Sequence, residues 1–197
     1  MRVLVVYCHP SQNSFTYEMT ASFILGLKKA GHEVIFNDLY KINFQSDMSE
    51  AEYMREGFYD EHLTLPQDVI DQQKLINQSD AIVFAYPVFW SEAPSKLVGW
   101  FQRVWTYGFA YGNKTMKDLK KTLFLVTMGG DSKEVVRQRQ IDAMKEVMVH
   151  DRMNERTEEC EFIVFDRMSR DYPERDLKKK DELERAYQLG LTFNDNI

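Results

Sequence analysis

The residues best suited to chemistry lie in three short loops, each of which follows an apolar run. The first loop, His9 to Thr16, contains an imidazole and the hydroxyls of Ser11, Ser14 and Thr16. Hydroxyls and free N–H groups at the start of a helix are good phosphate ligands. The glycine patterns of the dinucleotide fingerprint and the nucleotide P-loop do not occur in this loop. The loop therefore predicts a phosphate site, while Ser14 has the alternative role of a helix N-cap.

The second loop combines two prolines with two aromatic side chains. It reads Tyr86-Pro87-Val88-Phe89-Trp90-Ser91-Glu92-Ala93-Pro94. A stiff backbone flanked by flat rings suits a planar ligand, which stacks on aromatic side chains and hydrogen-bonds to fixed N–H groups at its edge. The loop therefore predicts a clamp for a planar ring. The alternatives are a rigid structural turn, or aromatic side chains that pack against a neighbouring subunit.

The third loop, Thr127-Met128-Gly129-Gly130, offers bare backbone N–H groups near the start of a helix. Such groups stabilise negative charge on a bound ring, although Gly-Gly before a helix is also typical of a tight turn. A phosphate site, a planar clamp and an anion-stabilising edge together predict a flavin site. The choice between FMN and FAD stays open, because the additional adenylate of FAD would extend beyond His9 and Ser11.

The elements that position these loops alternate between strands and helices. Apolar runs predict strands at 3–7, 33–39, 81–86, 121–128 and 162–165. Amphipathic spacing predicts five helices, which begin at Phe15, at Pro66, after Pro94, after an Asp131–Glu134 capping box and at Glu174. The fourth helix is predicted to continue to about Val149, and Gly190 is predicted to end the fifth. Residues 41–65 are predicted to be an ordered excursion.

This alternation predicts an α/β fold with a five-stranded parallel sheet covered by helices on both faces, a three-layer sandwich. Right-handed crossovers favour the doubly wound strand order 2-1-3-4-5. In that order the topological switch lies between strands 1 and 3. Ligands bind at the carboxyl ends of strands beside such a switch, so the three loops should share one site.

Composition narrows the function further. The 197 residues are 44% apolar and fit a single domain, residues 1–197. A net charge of −6 argues against a nucleic-acid surface, and the Lys178–Lys180 run is interpreted as a solvated face. Two cysteines and four scattered histidines predict neither a disulfide framework nor a metal site. No apolar run reaches membrane-spanning length and no signal peptide is evident, so a cytoplasmic location is expected.

The same loops carry a family resemblance. The chain resembles the NAD(P)H:quinone oxidoreductase family with a flavodoxin-like fold, which includes mammalian quinone reductases and bacterial relatives associated with potassium efflux systems. The matching stretches are Tyr7-Cys8-His9-Pro10 through Phe15, Asp38-Leu39-Tyr40 with Asn43-Phe44, Tyr86 through Pro94, Lys96 to Val104, Phe109-Ala110-Tyr111 and Thr127 through Gly130. They span roughly the first two thirds of the chain.

The resemblance implies a function and a set of site residues. It implies that hydride passes from NAD(P)H through FAD or FMN to a quinone or similar planar acceptor in two steps. The residues expected to bind the cofactor are His9, Ser14, Phe15, Thr16, Pro87, Val88, Phe89, Trp90, Ser91, Thr127, Met128, Gly129 and Gly130. Trp90 and Tyr111 are expected to contact the substrate. Such enzymes are typically homodimers with the pocket at the interface, to which the aromatic segment Trp100–Tyr111 would contribute.

The chain departs from this family at one point. Mammalian members carry a Tyr and a His beyond the Thr-x-Gly-Gly loop that assist charge relay, and ungapped extension places Val135 and Ile141 there. Neither side chain transfers a proton. His150 is a candidate substitute, but its position after a helix is also typical of a C-terminal cap. No catalytic acid or base is therefore identified, which is compatible with a reaction whose chemistry belongs to the cofactor.

Two alternative classes of function make different demands on these residues. A small phosphatase would use Cys8 as a thiolate in a Cys-x5-Arg loop, but Ser14 occupies the arginine position, so Cys8 is predicted to be a small buried residue. The second alternative is a flavin-binding regulatory or ancillary subunit of a transporter. The same site would serve that role, and turnover would distinguish the two.

Overall fold

The computed structural model describes residues 1–194 and contains a five-stranded parallel sheet. The strands are β1 (Arg2–Tyr7), β2 (Glu33–Asp38), β3 (Ala81–Pro87), β4 (Leu119–Thr127) and β5 (Thr157–Phe165). The helices are α1 (Phe15–Lys29), α2 (Glu50–Gly57), α3 (Gln67–Asn77), α4 (Ser95–Val104), α5 (Val135–Lys145) and α6 (Arg175–Leu191). The strand order is β2-β1-β3-β4-β5 with every neighbouring pair parallel, which confirms the predicted α/β architecture and order.

The central strands are apolar throughout because helices cover both faces of the sheet. Side chains alternate along a strand, so Leu4 and Phe84 point into one core and Val5 and Ala85 into the other. The first core is closed by Trp100 of α4 and by α3. The second core is closed by α1 and α6. This two-sided burial is what the continuous apolar runs predicted.

A glycine pair allows α1 and α6 to cross in close contact. A Cβ atom on Gly26 would lie 2.1 Å from the backbone oxygen of Tyr187, and one on Gly190 would lie 2.1 Å from the backbone oxygen of Phe23. The prediction that Gly190 closes the last helix was wrong. Gly190 lies inside α6, where the absence of a side chain permits the close packing of the two backbones.

Three other expectations about the helices need correction. Residues 1–194 contain six α-helices rather than five, because the excursion after β2 includes α2, which begins with a capping box formed by Ser49 and Glu52. The Asp131–Glu134 capping box does not form, since Glu134 occupies the N-cap position of α5 without a side-chain cap. Helix α5 ends at Lys145, and a π-helical segment, Glu146–Asp151, continues it.

Only part of the aromatic segment Trp100–Tyr111 is accessible for the interface to which it was expected to contribute. Trp100, Phe101 and Phe109 are buried in the core beside the sheet. Tyr111 at the end of this segment is 37% exposed. Among the helices of residues 1–194, none combines the length and the apolar character needed to cross a membrane.

Candidate functional site

The three predicted loops leave the sheet at the same edge. Backbone hydrogen bonds join the last residues of neighbouring strands: the N–H of Cys8 donates to Ala85 at 3.0 Å and that of Val88 donates to Thr127 at 2.9 Å. A cavity of about 640 Å³ opens at this edge. We call it the main cavity, and its lining includes the predicted residues His9, Ser14, Phe15, Thr16, Pro87, Val88, Thr127, Met128 and Gly129.

His9 presents a neutral imidazole to the main cavity. Its Nδ1 accepts a hydrogen bond from the Ser11 N–H at 2.9 Å, which leaves Nε2 as the protonated nitrogen of the neutral ring. Burial lowers the pKa of His9. His9 is therefore a donor without a charge.

Ser14 serves as the N-cap of α1, as its alternative role predicted. Its Oγ accepts from the Tyr17 N–H at 3.2 Å and donates to the Ser11 carbonyl at 3.0 Å. These bonds shape the turn between β1 and α1. The hydroxyl also lines the main cavity, so the cap and the phosphate interpretation are compatible.

A buried hydroxyl pair ties the first loop to the third. Thr16 Oγ1 and Thr127 Oγ1 lie 2.7 Å apart, and both residues are buried. Since each hydroxyl is the hydrogen-bond partner of the other in this buried position, the start of α1 is held at a set distance from the end of β4. Both residues line the main cavity.

Sequence reasoning missed a fourth wall of the main cavity, which the segment after β5 provides. Its residues are Met168, Ser169, Arg170, Arg175 and Lys179. A sequence signal exists for Arg170, which follows the fifth strand closely, at the edge of the sheet where the other loops lie.

This fourth wall is bound to the Gly-Gly loop by several hydrogen bonds. The N–H of Arg167 donates to Gly130 at 2.9 Å, and the carboxylate of Asp166 accepts from the Ser132 N–H at 2.8 Å. Lys178 pairs with Asp166. Burial opposes ionisation of Asp166, but the bonds from Lys178 and Ser132 hold its pKa well below 3.8.

The interpretation of Lys178–Lys180 as a solvated face was wrong for two of its three residues. Lys178 pairs with Asp166 and also with Glu182, at 3.1 Å. Lys179 pairs with Glu18 and lines the main cavity. These two lysines connect α6 to the site.

A second, smaller cavity of about 290 Å³ adjoins the main one. The two share Val88, Met128 and Gly129, and the second adds Trp90, Ser91, Gly130, Arg137, Gln140 and Met144. We call it the side cavity. The residues of the second and third loops that line it are the ones expected to contact the ring of the cofactor. Arg137 and Gln140 of α5 were not among the predicted site residues.

Trp90 lies at the tip of a tight turn. Phe89 and Glu92 exchange two backbone hydrogen bonds, at 2.8 and 3.0 Å, around Trp90 and Ser91. Both central residues have positive φ, 52° and 62°, a conformation in which glycine and asparagine are usual. The indole is fully exposed, with a relative accessibility of 101%. The loop therefore holds a large aromatic ring in solvent at a cost in backbone strain.

Tyr111 lies apart from both cavities formed by the described residues. It belongs to residues 106–116, which we call the tyrosine loop. Its hydroxyl donates to Glu56 Oε2 at 2.9 Å, and its ring contacts that of Tyr107. Burial, followed by the bond to Glu56, raises the pKa of Tyr111 to about 12. Of the predicted cofactor residues, Phe89 also lines neither cavity.

The other candidate reactive residues are not placed for catalysis. His150 is exposed in the π-helical segment and lines neither cavity of the described chain. Val135 is exposed and Ile141 is buried. Cys8 is fully buried, and burial raises the pKa of its thiol to about 12, which confirms the prediction of a small buried residue. That environment is the opposite of the one that a thiolate nucleophile needs.

Comparison with known proteins identifies the family. A family model described as a flavodoxin-like fold matches residues 1–186. The solved NAD(P)H:quinone oxidoreductase of Methanothermobacter marburgensis is 34% identical, with a TM-score of 0.91 over 98% of this chain and 97% of that one. The chain belongs to the flavodoxin-like NAD(P)H:quinone oxidoreductase family.

Curated relatives in this family match part of their length. Rat NAD(P)H dehydrogenase [quinone] 1 is 35% identical over 147 residues, which cover 66% of this chain and 54% of the rat protein. The chain thus spans about half the length of that relative. General stress protein 14 of Treponema denticola, solved in complex with FMN, shares the fold at 17% identity, with a TM-score of 0.64 and coverage of 99% of this chain and 98% of that one.

Proposed function

We propose that this chain is a flavin-dependent NAD(P)H oxidoreductase that reduces a quinone or a similar planar acceptor. The observation that carries the proposal is the convergence of the loops after β1, β3 and β4 on one cavity at the switch point of the sheet. Names of relatives in the family support the same activity.

The residues present fit a flavin. The hydroxyls of Ser14 and Thr16 and the uncharged donor of His9 suit a phosphate and a polyol chain. Val88 and Met128 offer apolar contacts between the two cavities, and Gly129 keeps that passage free of a side chain. When bound, a flavin accepts hydride from NAD(P)H and passes it to the acceptor, and the protein's part is to orient the rings and exclude water.

The fourth wall bears on the choice between FAD and FMN. Arg170, Arg175 and Lys179 add cationic side chains to a cavity whose first wall already offers hydroxyl donors. FMN carries one phosphate group and FAD carries two, so a second group of donors favours the larger cofactor. We therefore expect FAD, and the mass of the released cofactor decides between the two.

A homodimer completes the proposed substrate site. Within one copy, Trp90 borders the side cavity while Tyr111 faces Glu56 elsewhere on the surface. A single copy therefore does not bring both predicted substrate residues together. We propose that the partner's Tyr111 approaches the exposed Trp90 in a dimer of two identical chains. Sedimentation velocity tests the dimer directly.

The central experiment is to purify the protein, record its visible spectrum and weigh the released cofactor by mass spectrometry. A yellow protein that oxidises NAD(P)H only when a quinone is present is the expected result. Flavin binding without turnover would instead favour the ancillary-subunit alternative. A colourless protein that cannot be loaded with FAD or FMN would overturn the proposal.

A glycine pair tests the location of the site. A Cβ atom on Gly129 would contact Ser169 Cβ at 3.2 Å inside the main cavity, whereas one on Gly57 meets nothing within 4 Å. We expect Gly129→Val to abolish flavin uptake and Gly57→Val to leave it unchanged.

A cytoplasmic location and the extent of the single domain stay predictions.

A further inference from the structure

The side cavity is lined by a positively charged side chain, Arg137, which has no role in the proposed function so far. Arg137 lies in the first turn of α5 and reaches the cavity beside Gly129 and Gly130. Its Nη1 donates to Gln140 Oε1 at 2.9 Å, which orients the guanidinium.

Arg137 is held against the Gly-Gly loop. A Cβ atom on Gly130 would lie 2.7 Å from Arg137 Nε, so a side chain at residue 130 would displace the guanidinium. The Nε atom itself is buried and has no hydrogen-bond partner among residues 1–194. Arg137 Nε lies 3.8 Å from a carboxylate oxygen of Glu134, and the side chains of Arg137 and Glu134 are 40% and 63% exposed. The positive charge is thus only weakly compensated by the chain itself.

A buried donor without a partner beside bare glycine amides is suited to a negatively charged ligand edge. Arg137, Gly129 and Gly130 line the same cavity, so the positive charge of Arg137 lies close to the Gly-Gly loop. We propose that Arg137 supplies a permanent positive charge to the edge of the flavin that gains negative charge on reduction. This inference rests on the proposed function.

Sulfite is a probe for this charge that does not depend on turnover. Sulfite donates a sulfur electron pair to the oxidised flavin ring, and the resulting negative charge spreads to the edge at which we place Arg137. The experiment uses holoprotein of the wild type, Arg137→Gln, Arg137→Lys and Arg139→Gln. Arg139 is the matched control because it lies on the same helix, is exposed and lines neither cavity of the described chain.

We expect Arg137→Gln to weaken sulfite binding at least about tenfold, which corresponds to about 1.4 kcal/mol. The two-electron reduction potential of the bound flavin should also fall, by about 30 mV for each tenfold decrease in the equilibrium constant for its reduction. Arg137→Lys should stay within about threefold of the wild type, because it keeps the charge, and Arg139→Gln should match it. Flavin content and thermal unfolding of each variant are measured in parallel.

Three outcomes besides the expected one bear on the role of Arg137. Loss of flavin from Arg137→Gln with retention by Arg137→Lys also supports the proposal, since the charge distinguishes these variants. Sulfite affinity and potential in Arg137→Gln that equal those of the wild type would overturn the inference and leave the proposed function intact. A wild-type protein that takes up no flavin would overturn both.

Discussion

The main cavity and the tyrosine loop are held in place by different kinds of contact. Most main-cavity residues lie at the ends of β1, β3 and β4 or directly after them, and backbone hydrogen bonds between these strands set their positions. The tyrosine loop is instead held by side chains of α2: Glu56 Oε2 accepts from the Tyr107 N–H at 2.8 Å, and Arg55 Nη2 donates to the Tyr107 carbonyl at 3.2 Å.

Helix α2 is in turn anchored by one buried arginine. Arg103 of α4 donates to Glu52 at 2.7 Å and to Asp68 at 2.6 Å, and so joins α2 and α3 to α4. A backbone ladder tolerates the loss of one side chain, whereas a chain of ionic contacts does not. The two regions should therefore respond differently to single substitutions.

The largest effect is expected from Arg103→Met. The change leaves buried Glu52 without its cationic partner, which typically destabilises a protein by about 3–5 kcal/mol. Urea unfolding measures the loss, and flavin affinity at low temperature should change less than twofold. Arg139→Met is the exposed control, with a change within about 0.5 kcal/mol. A stable Arg103→Met variant would remove the distinction between the two regions.

Asp166→Asn, beside the main cavity, should lower the free energy of unfolding by about 2 kcal/mol at pH 7. The reason is the loss of the charge-assisted bonds to Ser132 and Lys178. The folded pKa of Asp166 lies below 3.8, so the wild-type carboxylate stabilises the fold fully above about pH 5 and progressively less as the pH falls toward 1. The difference between the two proteins should therefore shrink on acidification, as urea unfolding at several pH values would show.

The control for Asp166 is Asp181→Asn, which removes an exposed carboxylate on α6, the helix that carries Lys178. Its stability should stay within about 0.5 kcal/mol of the wild type at each pH. A difference between wild type and Asp166→Asn that is constant from pH 5 to pH 3 would contradict the assigned ion pair.

The hydroxyl pair of the main cavity allows a double-mutant cycle. Thr16→Val or Thr127→Val alone leaves one buried hydroxyl without a partner, at a cost of about 1–3 kcal/mol. The double variant should be more stable than the sum of the single effects predicts, because no unpaired hydroxyl remains. Unfolding of the cofactor-free proteins gives the coupling energy. Strict additivity would show that the pair does not connect the two loops.

The smallest effect on stability, about 1 kcal/mol, is expected from Glu56→Gln in α2. The amide oxygen still accepts hydrogen bonds from the tyrosine loop, although the charge that pairs with Arg55 is lost. Loss of the carboxylate should lower the pKa of Tyr111 from about 12 toward its ordinary value of 10.0. Carbon NMR of labelled tyrosine follows this titration. Glu61→Gln, which affects a bond to Asn113 in the same loop, is the control. An unchanged Tyr111 pKa in Glu56→Gln would refute the role of Glu56.

The contrast between the regions also explains which parts the sequence predicted. Strands β1, β3 and β4 were found because burial on both faces requires continuous apolar runs, and their loops converge by topology alone. The first half of β5, Thr157–Glu161, was missed because this strand lies at the sheet edge and contains three glutamates. The start of helix α2 was predictable in principle, because Ser49 and Glu52 have the spacing of a capping box.

Contacts between residues distant in sequence were not predictable in this way. Gly190 was interpreted as a helix end because a single sequence does not reveal that Gly26 packs against it. Lys179 and Arg175 were left out of the site because α6 reaches the cavity only after it has packed on α1. The substrate role of Tyr111 stays a prediction, and its partner Glu56, 55 positions away in the sequence, was not predictable from a local pattern.

The sequence alone determined the layered fold and the three cavity loops, because periodicity and strand ends are local properties that burial imposes on neighbouring residues. Tertiary structure decided the fourth wall, the place of Arg137 against Gly130 and the separation of Tyr111 from the cavity. These depend on side chains of different elements meeting at distances of a few ångströms. Such meetings follow from packing, which no local pattern records.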